Sequence, residues 1–287
     1  MKVLYTIEEV HRIFNTAGSS PLLVTCDDFN DWVCKYDRFP KYLFNELIAS
    51  EFAKIWNINT PETALITVKS EHIPFDKFPQ LQPAYFEKEC FGSLFLKNTK
   101  EIDLSFIPLF RDKSFRDKIQ QKSDFLKIAL FDIWLANEDR NYNNFNLLLH
   151  YSPNNVYFFY AIDHVNIFNS SFLNYGIAEL TEEDTIIKTE LAKLLYGNVR
   201  KLTEIVDKLV EDFYLCTIEC EKNLDVIFDL LPDSWLIDKP YIRAKMQEHL
   251  FNDEWKKQCE VKFRTFMQSF ILNQKNENLI FNIICSN

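Results

Sequence analysis

A chain of 287 residues that is 47% hydrophobic and 15% aromatic can bury a large core, as one two-lobed unit or two small domains, which excludes a disordered polypeptide. Its formal net charge of -10 and pI near 5.1 run against a surface that tracks phosphate backbones, so no direct nucleic-acid contact is expected. The opening MKVLYTIEEVHRIF carries charges where a signal peptide needs an apolar core, and no apolar run approaches the roughly 18 residues of a membrane span, so a cytoplasmic protein without membrane contact is expected.

In chain order, Thr16-Ala17-Gly18-Ser19-Ser20-Pro21 separates two apolar stretches and reads as a hairpin or phosphate-covering loop. With only four glycines in the chain (Gly18, Gly92, Gly176, Gly197), each is expected to mark a turn. Leu22 to Val24 and Trp32 to Tyr36 are rich in β-formers and flank the turn residues 27–31, which predicts two strands joined by a tight loop. Apolar residues then recur at helical spacing from Leu43 to Trp56, Ala64 to Val68 reads as a strand, and Pro74, Pro79 and Pro83 make 71–83 an irregular surface connection. The apolar segment Ala84 to Leu96 reads as a strand leading to a linker.

The pattern of Phe125, Ile128, Ala129, Phe131, Trp134 and Leu135 predicts a helix over 122–136 that stops at a polar cluster, 137–144. Strands at 146–150 and 156–162 flank the turn Ser152-Pro153-Asn154-Asn155, and everything beyond about Leu191 has helical periodicity. The fold class is therefore α+β: a small mixed β-sheet lobe with one helix (1–98) and a larger, mostly helical lobe (99–287). The seven cysteines include no CxxC pair and several lie in apolar runs, which suits reduced, buried thiols. Cys216 and Cys220 share a helix face, yet no neighbouring cysteine or histidine completes a zinc site.

One constellation carries chemistry. Phosphoryl transfer needs a carboxylate to orient the attacking hydroxyl, metal ligands on the phosphates and a cation beside them. Asp139 is followed five residues later by Asn144, the interval between the base and the metal-binding asparagine of protein kinases, and a hairpin then delivers Asp163 at a strand end.

The runs DIWLANEDRNYNNFNLLL and YAIDHVNIF resemble the catalytic and metal-binding motifs of HipA-like kinases, and the likeness extends back through much of the chain. The resemblance implies a two-lobed kinase-like fold that binds ATP and Mg2+, with Asp139 catalytic and Asn144 and Asp163 on the metal. WVCKY resembles the strand bearing the phosphate-binding lysine, Lys35, and FNELIASEFAKIW the following helix. Glu46, on a side shared with Ala49, Ser50 and Ala53, is then the partner of Lys35, with Glu51 as its competitor. ECFGSLFL resembles the inter-lobe connection, which implies adenine contacts from the backbone of Glu89, Cys90 and Phe91. TAGSSP resembles the family's phosphate loop, which brings in Gly18, Ser19 and Ser20 and suggests autophosphorylation of its serines.

Two departures stand out: Asn141 replaces the histidine usual after Asp-Arg, and His164 replaces the phenylalanine of an Asp-Phe-Gly; neither is a metal ligand. The expected activity is transfer of the γ-phosphoryl group to a serine or threonine of a protein substrate, with an antitoxin-like partner protein implied by the family. Two alternatives stay open, a kinase for a small molecule or lipid headgroup and a nucleotide-binding pseudokinase or interaction module. The acidic stretch 169–184 counts against an anionic lipid substrate.

Overall fold

Alternation of apolar residues sets the first third of the chain into strands. The computed structural model describes residues 1–14, 20–170, 173, 176–197 and 202–285, the last twelve by backbone alone. Six strands, β1 (Lys2–Tyr5), β2 (Arg12–Ile13), β3 (Leu22–Thr25), β4 (Asp31–Lys35), β5 (Thr63–Thr67) and β6 (Cys90–Leu94), form one sheet in the order β1-β5-β6-β4-β3-β2. The β1–β5 pair is parallel and the other pairs are antiparallel.

The two-residue period gives this sheet two different faces. Trp32, Cys34, Ile66 and Cys90 look outward into a core closed by Ile73, Leu81 and Phe86, so the proline-rich connection is a lid on the sheet, wound through two short 3-10 turns. Leu65 and Phe91, on the other face, belong to the larger core. That face is covered by α1 (Lys41–Ile55), whose ten buried residues include Phe44, Leu47 and Phe52.

The larger lobe is built around α2 (Ser123–Leu135), eleven of whose residues are buried. Beside it lie an antiparallel sheet of β7 (Thr99–Glu101), β8 (Leu147–Ser152) and β9 (Val156–Ala161), and the helices α3 (Glu190–Tyr196), α4 (Leu202–Lys222), α5 (Lys239–His249) and α6 (Asp253–Cys285). Aromatic contacts join α1 to this lobe: Trp56 stacks on Trp134 at 5.5 Å between ring centroids, and Phe52 meets Trp134 at 5.4 Å. Trp56 also meets Phe213 of α4 edge-on at 5.8 Å. One core therefore runs from the underside of the six-stranded sheet into the helices, and α1 is fixed from both sides.

The α+β, two-lobed arrangement and most predicted elements are present. Three strands carry no sequence signal that marks them: β1 is short and half exposed, β2 has two residues, and β7 reads Thr-Lys-Glu. Gly92 marks no turn. It sits within β6, where an added Cβ would lie 2.4 Å from Ile66 Cδ1, so its missing side chain serves close packing on the outer face. Gly18 and Ser19 lie outside the described residues.

Candidate active site

Between the sheet and the helical lobe lies a cleft of about 1350 Å³, and Lys35, Glu46, Asp139, Asn144 and Asp163 all line it. Their convergence has three local causes. Lys35 is the last residue of β4 on the inner face, and Glu46 projects from the second turn of α1 below it. Asp139 and Asn144 occupy the loop that follows α2, which ends at Ala136 in the left-handed conformation (φ 49°, ψ 51°). Asp163 follows β9 and is itself left-handed at φ 57°, a region where aspartate is among the residues most often found.

Lys35 Nζ donates to Glu46 Oε1 and, at 2.8 Å, to Asp163 Oδ1. It is Glu46 that meets the lysine; Glu51 is engaged by Lys54 at 2.5 Å. The lysine and Glu46 are nearly enclosed, with side chains 11% and 3% exposed, whereas Asp163 keeps 29% exposure toward the cleft. Burial by itself would depress Lys35, but the charges of Asp163 and Glu46 outweigh it and hold the ammonium above its ordinary range. Burial raises the Glu46 carboxyl despite its cation partner, with Asp163 adding to the rise. Burial also works to raise Asp163, yet the contact with Lys35 wins and keeps it below the usual carboxylate range.

Asp139 Oδ2 accepts from Asn144 Nδ2 at 3.1 Å and from Asn146 Nδ2 at 3.2 Å. Two amides thus aim one carboxylate, and the bond from its nitrogen leaves the Asn144 carbonyl oxygen free of Asp139. Asn146 was not legible in the sequence, because an asparagine-rich loop offers several equivalent candidates; its left-handed backbone (φ 46°) at the mouth of β8 is what distinguishes it.

A second group escaped sequence reading entirely. Arg140, fully buried, donates to Asp132 Oδ1 at 2.5 Å and to the Ile162 carbonyl at 2.7 Å, while Asn137 Nδ2 donates to Asp132 at 2.9 Å. One guanidinium therefore ties the neighbour of Asp139 and the neighbour of Asp163 to α2. The only sequence signal was a carboxylate inside the apolar run of α2. Burial pushes the Asp132 carboxyl up, and Arg140 and Asn137 oppose it. His164 is buried against Phe131, and burial followed by the charges of Arg140 and Lys35 drives its pKa well down, so it is a neutral, packed residue.

Of the three residues expected at the adenine, Phe91 lines the cleft and two do not. Glu89 and Cys90 do not line the cleft. The Glu89 carbonyl accepts from Trp235 Nε1 at 2.8 Å and its carboxylate from the Ser234 hydroxyl, tying the residue before β6 to the helical lobe. Cys90 points into the outer-face core. Phe91 does line the cleft, paired across from Lys35, and the segment 93–96 borders it further on. The misplacement follows from register: Lys35 is opposite Phe91, so the chain leaves the sheet only after Leu94. Ser20 also lines the cleft.

Among the described residues the cleft wall carries five carboxylates (Asp37, Glu46, Glu101, Asp139, Asp163) and one cationic side chain, Lys35. A polyphosphate is held in such a site only with divalent cations, and the carboxamide and carboxylate oxygens of Asn144 and Asp163 are hard donors suited to magnesium. Among the described residues no group of three or more His, Cys, Asp or Glu side chains forms a metal cluster.

A family model described as HipA-like kinase matches residues 7–265. The structure is similar to that of the proinflammatory kinase CtkA of Helicobacter pylori, with a TM-score of 0.52 and 13% identity over 91% of this chain and 97% of that one. Weaker likenesses are to HipA of Shewanella oneidensis MR-1, solved with HipB and operator DNA (TM-score 0.44, 14% identity, 85% of this chain and 64% of that one), and to the Golgi casein kinase (TM-score 0.45, 11% identity, 94% and 73%). A search of curated proteins gave no match.

Proposed function

The chain belongs to the HipA-like kinase family, and from that premise we propose that it transfers the γ-phosphoryl group of MgATP to a serine or threonine hydroxyl of a protein. The observation that supports this most is the enclosed Lys35, held between Glu46 and Asp163 and facing Asp139 across the same cleft. A pair of carboxylates keeps the ammonium charged and fixed in place, where it neutralises phosphate oxygens.

Asp139, steadied by Asn144 and Asn146, accepts the hydrogen of the incoming hydroxyl and aims its oxygen at phosphorus. The new P–O bond forms as the bond to ADP breaks, and the hydroxyl proton leaves with Asp139 as its acceptor. Asn144 and Asp163 would hold magnesium, which would offset the negative charge of the nucleotide's phosphates. Ser20, on the cleft wall, is a candidate for self-modification, where an added dianion would repel the nucleotide. An antitoxin-like partner protein and a cytoplasmic location accompany this reading on family grounds, with no membrane span among the described helices.

The test is incubation of the purified chain with labelled ATP and Mg2+ alone and in lysate, followed by phosphosite mass spectrometry. Asp139→Asn is expected to lower transfer by about 10²- to 10⁴-fold with nucleotide binding retained. Wild type that binds MgATP yet labels neither itself nor any lysate protein would establish a nucleotide-binding module instead.

A further inference from the structure

Resting on the nucleotide reading, we propose that Asn45 is a positioning residue for the metal-binding carboxylate: its amide latches the backbone just after Asp163 to α1, so that one helix sets the places of both Lys35 and Asp163. Asn45 precedes Glu46 on α1 and is fully buried. Its Nδ2 donates at 2.8 Å to the carbonyl of Val165, 120 residues further along the chain. Its Oδ1 has no hydrogen-bond partner among the described residues. An enclosed amide with an idle oxygen is a poor choice for packing alone, since burying that oxygen is unfavourable and an apolar side chain of the same size carries no such cost. What the asparagine contributes is the donor, and the donor is committed to the metal segment.

The metal segment needs that hold. Before Asp163, the Ile162 carbonyl accepts from Arg140 and the Ile162 N–H donates to the Asn146 carbonyl at 3.1 Å. Asp163 itself is left-handed, a conformation that persists where the surrounding structure fixes the chain. After it, the His164 N–H helps to hold the Glu46 carboxylate charged, and Val165 is tied to Asn45. Consecutive residues of α1 thus grip consecutive residues of the metal segment. Without the Asn45 donor the chain after Asp163 loses one of these two ties to α1, and the carboxylate is free to turn away from Lys35. Groups that orient a metal ligand from behind commonly change metal affinity by about 10- to 100-fold when removed.

Asn45→Leu and Asn45→Asp, each near the size of asparagine and each lacking the N–H donor, are compared with wild type and with Asn59→Leu. The last removes a similar bond, from Asn59 Nδ2 to the Phe159 carbonyl at 3.3 Å, which holds β9 rather than the metal segment. Hydrogen exchange of the metal-free, nucleotide-free proteins is expected to quicken by about tenfold at 163–167 in either Asn45 variant and to keep the wild-type rate there in Asn59→Leu. Calorimetric titration with ATP at a series of free Mg2+ concentrations is expected to place the Mg2+ midpoint about tenfold or more higher in either Asn45 variant, and within about twofold of wild type in Asn59→Leu. One folded Asn45 variant suffices for both readings. Wild-type exchange at 163–167 or an unshifted Mg2+ midpoint in that variant overturns the positioning role and leaves the kinase reading standing, as does an equal shift in Asn59→Leu. Failure of both Asn45 variants to fold also overturns it, since Asn45 is then a requirement of the core. Wild type that shows no Mg2+-dependent binding of ATP overturns both.

Discussion

Arg140→Met isolates the buried clamp from the rest of the site. Arg140 is wholly enclosed and the Asp132 side chain only 2% exposed, so removing the guanidinium strands a carboxylate whose remaining partner is Asn137. Breaking one side of such a pair costs about 3–5 kcal/mol. At about 2–3 °C per kcal/mol for a chain of this size, the melting temperature falls by roughly 6–15 °C. The double variant Asp132→Leu, Arg140→Met replaces the ion pair with apolar volume and is expected to recover most of that loss, since well-packed hydrophobic substitutes are often neutral or better. The Ile162 carbonyl still lacks its donor, which retains a cost of about 1–3 kcal/mol. Phosphoryl transfer is expected to stay at least about tenfold down in the double variant, because Asp163 has lost its anchored neighbour. Thermal melts and a labelled-ATP assay on the three proteins decide it. A double variant as unstable as Arg140→Met alone would show that the ion pair is not the source of the loss; one with wild-type turnover would show that Arg140 positions nothing.

Three further outcomes follow from the packing and the charges. Glu260, beside Lys257, Tyr214 and Arg264, is pulled down to about 2 by those contacts against the effect of burial. A depressed carboxylate stabilises the fold above its ordinary pKa and ceases to do so as pH falls through the folded value, so the urea midpoint of Glu260→Gln should lie below wild type at pH 7, with the gap shrinking as the pH falls from about 4.5 to about 2. Gly92→Ala should destabilise by about 1–3 kcal/mol in urea unfolding, since its Cβ would lie 2.4 Å from Ile66 Cδ1, and Ile66→Val in the same chain should restore part of it. Trp235→Phe removes the indole donor to the Glu89 carbonyl and should cost about 1 kcal/mol, read as a fall of about 2–3 °C in the melting temperature without loss of ATP affinity.

Legibility differed sharply between parts of the site. Asp139, Asn144 and Asp163 could be picked out because the chemistry demands those types in that order along one stretch of chain, and the structure brings all three to one cleft. Lys35 and Glu46 were readable for another reason, since a lysine in an otherwise apolar strand and a glutamate on the small-residue side of the next helix are each anomalous locally. Glu89 and Cys90 fall outside the cleft because strand register depends on hydrogen bonds between β4 and β6, which no pattern within ECFGSLFL encodes.

By itself the sequence determined the order of the longer elements, the helix–loop–hairpin that carries the acidic groups, and the family that its motifs resemble. Only the tertiary structure decided which amides aim Asp139, and that one buried arginine joins the flanks of both key aspartates. Periodicity and residue type act within a few positions along the chain, whereas a salt bridge between strand and helix, or a guanidinium reaching a carbonyl 22 residues away, exists only once the core has fixed where the backbones lie.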